Sequence, residues 1–164
     1  MAMTYEVSIP QLPVLREAFA RGARVATLNA TSRAINKSLV VMQSTAKQRV
    51  PVDSGRLRGS ILINPAKHSA GNVLQGSVYT NVRYAGWQEA GTGIYGPLKR
   101  EITPKTKPYL RFKVGGRWVT TRSVKGVRPR WYFRSAVEEN RGRVYGFFEE
   151  AAEEVVTHLA RRGA

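Results

Sequence analysis

Pro51-Val52-Asp53-Ser54-Gly55-Arg56-Leu57-Arg58-Gly59-Ser60-Ile61 is the stretch at which the chain turns from helical to extended periodicity. Pro51 disfavours helical geometry at Val50 and ends whatever helix precedes it. Asp53 and Ser54 carry side-chain oxygens suited to accept amide N–H bonds two or three residues on, and Gly55 admits a strained φ. Leu57 is then expected to drop into a core and Ile61 to begin a strand. As turn chemistry alone these residues are common; their weight comes from what flanks them.

Upstream, Val25, Leu28, Ile35, Leu39, Met42 and Ala46 follow steps of three, four and seven. That spacing predicts a helix from Arg24 to about Val50, ~39 Å long at 1.5 Å per residue, with the apolar stripe as core. Earlier still, Tyr5, Val7 and Ile9 alternate with Glu6 and Ser8, so residues 1–12 read as an extended arm or short strand. Pro10 and Pro13 end it, and Pro13 can open a brief helix through Ala20.

Downstream, Ser60–Ile63 and Val73–Val78 read as strands, with 64–72 as the loop between them. Tyr84-Ala85-Gly86-Trp87-Gln88-Glu89-Ala90-Gly91-Thr92 reads as one helical turn closed by Gly91 in the left-handed conformation. Glu89 is the only acid between Asp53 and Glu101. It is expected to pair with Arg58 or Arg56 and lock the two segments together. Residues 107–121 form the clearest hairpin: Leu110, Phe112 and Val114 alternate with Arg111 and Lys113, Gly115-Gly116 supplies the turn, and Arg117-Trp118-Val119-Thr120 returns. From about Ser135 a last helix carries Val137, Val144, Phe148, Ala151, Val155 and Leu159 on one stripe. The fold class is α+β: a small, mostly antiparallel sheet packed by a long N-terminal and a long C-terminal helix, with residues 13–164 as a single domain.

Charge narrows the partners. The 164 residues hold 27 Lys+Arg against 11 Asp+Glu, a net +16. Residues 101–130 hold nine basic residues and one acid, a net +8, whereas residues 131–164 hold five and six, a net −1. The positive field therefore belongs to the middle of the chain. Such a surface favours nucleic acid or an acidic protein, and equally serves plain solubility. Arg111, Lys113, Arg117, Arg122, Lys125, Arg128 and Arg130 are the candidate DNA- or partner-facing residues.

Catalytic and cofactor chemistry finds little to work with. There is no cysteine, so neither a disulfide nor a thiolate metal site. His68 and His158 are the only histidines, far apart and in unlike contexts. Before the last helix the acids are Glu6, Glu17, Asp53, Glu89 and Glu101, without the clustering a two-metal nuclease needs. Gly91-Thr92-Gly93-Ile94-Tyr95-Gly96 matches the dinucleotide glycine pattern, but Pro97 follows where a helix must open, so the match is rejected. No catalytic residue, cofactor or metal is expected. Met1–Glu6 lacks a basic and an apolar signal region, and no run reaches the ~20 apolar residues of a membrane span.

Taken in order, the segments resemble the tail-component family of long-tailed bacteriophages, the neck or tail-completion proteins. Its members carry Pro-Val-Asp-(Thr/Ser)-Gly-x-Leu-Arg-x-Ser after a long helix, then Tyr-Ala-x-x-x-Glu-x-Gly-Thr, then a Pro-x-x-(aromatic)-x-x-Ala entry into the last helix. Here Pro51, Asp53, Ser54, Gly55, Leu57 and Arg58 answer to the first, and Tyr84, Glu89, Gly91 and Thr92 to the second. Pro129 to Ala136 answers more loosely to the third, with Trp131-Tyr132-Phe133 where a Pro-Phe pair is commoner. The resemblance implies a structural virion protein, not an enzyme, assembled in the host cytoplasm and placed at the neck between head connector and tail. It implies a homo-oligomeric ring around the DNA passage, contacts with head-completion, connector, tail-terminator or tail-tube proteins, and non-specific contact with double-stranded DNA. No membrane partner is implied. A head-completion or tail-terminator protein, and a nucleic-acid-binding module unrelated to the neck, are the alternative readings.

Overall fold

A computed structural model describes residues 3–7, 23–69 and 73–162. The brief helix expected after Pro13 lies outside them. The elements are β1 (Met3–Val7), α1 (Ala23–Arg49), α2 (Arg56–Gly59), β2 (Leu62–Ser69), β3 (Val73–Thr80), α3 (Ala85–Ala90), β4 (Leu110–Val114), β5 (Arg117–Thr121) and α4 (Tyr132–Arg162). The fold is α+β. One sheet has the order β1-β3-β2, antiparallel throughout, and β4-β5 form a separate hairpin.

Helix α1 is held by more than its large apolar residues. Ile35, Leu39, Met42 and Ala46 are buried as the spacing predicts, but so are Thr27, Ala30, Thr31, Ala34 and Ser38. These small side chains let α4 approach closely, and the Ser38 hydroxyl is satisfied by donating to the Ala34 carbonyl at 2.8 Å. Val25, assigned to the stripe, is exposed because the helix begins at Ala23 before it reaches the sheet. Helices α1 and α4 run antiparallel: Arg33 pairs with Glu154, Lys37 with Glu150 and Arg49 with Glu139. All six side chains are largely exposed, so these pairs set alignment more than stability. Between the helices Asn140 Nδ2 donates to Thr45 Oγ1 at 2.9 Å and to the Ala136 carbonyl at 2.8 Å. Asn140→Ala is expected to cost about 1 kcal/mol in urea unfolding, because it strands the Thr45 hydroxyl.

β3 is the central strand, with Leu74, Val78 and Thr80 buried on the face toward α1 and Ser77 buried on the other. β2 corrects the expectation of a loop over 64–72. It continues through Pro65 to Ser69, with a register shift between Asn64 and Lys67. Proline removes a ladder donor, but β2 is an edge strand and the bulge absorbs the loss. The Ala66 amide, freed from the ladder, donates to Asn36 Oδ1 of α1 at 2.8 Å.

α4 also begins earlier than the expected Ser135. Tyr132, Phe133 and Ala136 are buried in the main core, whereas Val137, assigned to the stripe, is partly exposed. Val144 and Phe148 pack on that core; Ala151 and Val155 join Ala30 and Ala34 in a second cluster, with Leu159 against it. No described helix is long and apolar enough to cross a membrane.

Candidate partner interface

The helix-to-strand junction is tied down by residues whose roles were not visible in the turn pattern. Gly55 takes φ +77°, and Leu57 is buried as expected. Asp53, Ser54 and Arg58 are exposed and Pro51 half-buried; the four-residue helix α2 has no side-chain cap. Instead Ser60 Oγ lies 2.6 Å from Thr80 Oγ1 and donates to the Leu57 carbonyl at 2.8 Å. Gln43 Nε2 donates to the Ile61 carbonyl at 2.8 Å. The junction is thereby sewn to both α1 and β3.

Glu89 does not pair with Arg58 or Arg56, both of which are exposed. It is 2% exposed, and its two carboxylate oxygens accept the Phe133 and Arg134 amides, each at 2.9 Å. Those N–H groups belong to the first turn of α4 and have no intrahelical acceptor. Glu89 thus caps α4 from a segment far away in sequence, with its charge at the positive end of the helix dipole. The Arg130 amide donates to the Gln88 carbonyl at 2.8 Å, the Trp131 amide to the Glu89 carbonyl at 3.2 Å, and the Tyr132 hydroxyl to the Ala85 carbonyl at 3.2 Å. The segment after Tyr84 therefore locks the entry to α4, not the 51–61 turn.

The glycines that follow serve close backbone approach. Gly91 has φ +76° but ψ 174°, an extended glycine-only conformation rather than the left-handed helical one expected. A Cβ on Gly91 would stand 2.9 Å from the Val127 carbonyl oxygen and from Pro129 Cδ. One on Gly93, at φ +64°, would run into the Lys125 carbonyl, and one on Gly126, at φ +93°, into that of Thr92. The Thr92 amide donates to the Val127 carbonyl, the Ile94 amide to that of Lys125, and the Val127 amide to Thr92 Oγ1, each at 2.9 Å. Ile102 and Val124 exchange two further bonds. This seam braces the base of the β4–β5 hairpin.

Above the seam the hairpin stands clear. Gly115 and Gly116 turn it at φ +54° and +81°, and every residue from Arg111 to Thr120 is exposed. The register sets Phe112 opposite Val119 and Lys113 opposite Trp118. Alternation then places Leu110, Phe112, Val114, Arg117 and Val119 on one face, and Arg111, Lys113, Trp118 and Thr120 on the other. Arg111 lies 4.7 Å and Lys113 5.2 Å from the Trp118 ring centroid, so two cations share one indole. Arg117 is separated from them on the apolar face. Arg122 and Arg128 stack instead on Tyr109 and Tyr95 at 5.8 and 5.2 Å, and Lys125 and Arg130 are exposed on the return segment. The seven candidate cations thus line the ribbon and its base without forming one flat patch. The aromatic backing was not foreseen, although Trp118, two residues from Thr120 in an alternating strand, was placed to supply it.

His68 on β2 and His158 on α4 are not drawn together: among the described residues no group of three or more His, Cys, Asp or Glu side chains is placed to hold a metal ion. Residues 16–91, just under half of the chain, match the model of the family described as "Bacteriophage HK97-gp10, putative tail-component". The match spans α1, the 51–61 junction and the segment from Tyr84 to Gly91, but not the hairpin or α4. It supports a structural role as a phage tail component and an association with the virion. No curated protein and no solved structure matches the chain.

Proposed function

Proceeding from the tail-component match over residues 16–91, we propose that this chain is a structural protein of the phage neck. It joins the head connector to the tail, acting without an active site as several copies around the passage through which DNA moves. The observation that carries this reading is the basic hairpin, exposed on both faces yet rooted in a rigid glycine seam. A ribbon of two strands is at best marginally stable alone and gains its order from what it touches. Its neighbours in this reading are other copies of the chain, head-completion or connector proteins, and tail-terminator or tail-tube proteins.

The cationic face lies toward the DNA passage. Duplex DNA carries a charge about every 1.7 Å, so even sequence-independent proximity is favourable and falls steeply with salt. The test is electron microscopy of particles from a phage in which this gene alone is disrupted. Filled heads beside separate, full-length tails are the expected result. Intact, joined virions would remove the protein from the essential joint and leave the stacked cations to a nucleic-acid-binding role elsewhere.

A further inference from the structure

The hairpin has two unlike faces, and the apolar one is not built for DNA. Phe112, Val114 and Val119 lie exposed on it, Val114 at 58%, flanked by Arg117. A surface of that kind calls for a protein with apolar groups and negative charge. The chain itself carries one, on the outer side of α4.

There Tyr145, Glu149, Ala152, Glu153 and Val156 recur at helical spacing and are all exposed, Tyr145 and Val156 each at 58%. Glu150 and Glu154, one position around the helix, are matched by Lys37 and Arg33 of α1. Glu149 and Glu153 have no ion-pair partner among the described residues. Two carboxylates one turn apart repel each other, and a cation from outside relieves that repulsion. Arg117 on the apolar face of the ribbon and the adjacent Glu149 and Glu153 on α4 are opposite in sign, so the two surfaces are complementary.

We infer that the hairpin of one copy docks on the outer face of α4 of the next. Phe112 and Val114 lie against Ala152 and Val156, one helical turn apart, and Arg117, on the same face of the ribbon, meets Glu149 and Glu153. This rests on the proposed neck role only for its occupant, a second copy. The two surfaces lie on different parts of the chain, so the contact can run head-to-tail from copy to copy. Made in one direction around a series of copies, it closes a ring or extends a filament.

The chain has no cysteine, which makes cross-linking clean. Full-length Val114→Cys and Val156→Cys proteins are mixed under oxidising conditions, with Val25→Cys, exposed on α1, as the control partner. Val114→Cys is expected to couple to Val156→Cys about tenfold faster than to Val25→Cys, an enhancement that high salt reduces. Adding Arg117→Glu to the first protein should abolish the enhancement, and Glu149→Lys with Glu153→Lys in the second should restore it. Equal rates for the two mixtures overturn the inference. So does faster coupling of Val114→Cys to itself, which would mean hairpin-to-hairpin pairing. Equal rates together with protection of the Val114→Cys thiol by duplex DNA would also overturn it, assigning the ribbon to DNA. Separated heads and tails in the gene disruption with equal rates here would sink this contact and spare the neck role; joined virions with enhanced coupling would do the reverse.

Discussion

Glu89→Ala is expected to destabilise the protein by about 3 kcal/mol, because it leaves the Phe133 and Arg134 amides without their acceptors at ~1–3 kcal/mol each. Both donors sit in the first turn of α4, so the carboxylate's favourable position at the helix dipole is lost as well. Urea unfolding of the full chain measures the change. Glu89→Gln keeps one carbonyl acceptor but turns an amide donor toward an amide donor, and should cost about half as much. Charge reversal at Arg58 or Arg56 should rescue neither variant, since neither arginine meets Glu89. A fully stable Glu89→Ala protein would show that α4 is held without this cap.

Gly93→Ala is expected to cost about 2–5 kcal/mol, the sum of a left-handed φ for an L-residue and a backbone collision that no rotamer relieves. The collision is with the Lys125 carbonyl, which accepts the Ile94 amide and belongs to the seam. Its effect should therefore centre on the hairpin base, with hydrogen exchange accelerated at Ile94, Ile102 and Val127 before it rises in α1. Gly115→Ala provides the contrast. It also has a positive φ, but a Cβ there meets nothing within 4 Å, so only the conformational cost of ~1–2 kcal/mol remains, confined to the ribbon. Equal effects at the two glycines would mean that the seam adds nothing beyond local backbone preference.

Much of the fold was legible because its cues are local. Ile35, Leu39, Met42 and Ala46 recur at helical spacing, Pro51 stops the helix, and Gly115-Gly116 sits between two alternating runs. Each cue acts within a few residues, so a linear reading captures it. The errors have a common cause. α4 starts at Tyr132 rather than at about Ser135, and its first turn is capped by Glu89, which no local pattern connects to it. Pro65 lies within β2, in the stretch 64–72 expected as a loop. It is tolerated there only because β2 lies at the sheet edge and Asn36 receives the displaced amide. Thr27, Ala30, Thr31, Ala34 and Ser38 look like a weak helix face until α4 is laid against them.

The sequence by itself thus determined the class of fold, the helix and hairpin that dominate it, the location of the positive charge and the resemblance to phage tail components. Those properties depend on periodicity, turn chemistry and order along the chain. Only the tertiary structure decided what Glu89 does, why Gly91, Gly93 and Gly126 must lack side chains, and which faces of the ribbon and of α4 remain uncovered. Each of these depends on pairs of residues distant in sequence, where the deciding quantity is whether two backbones or two charges meet in space.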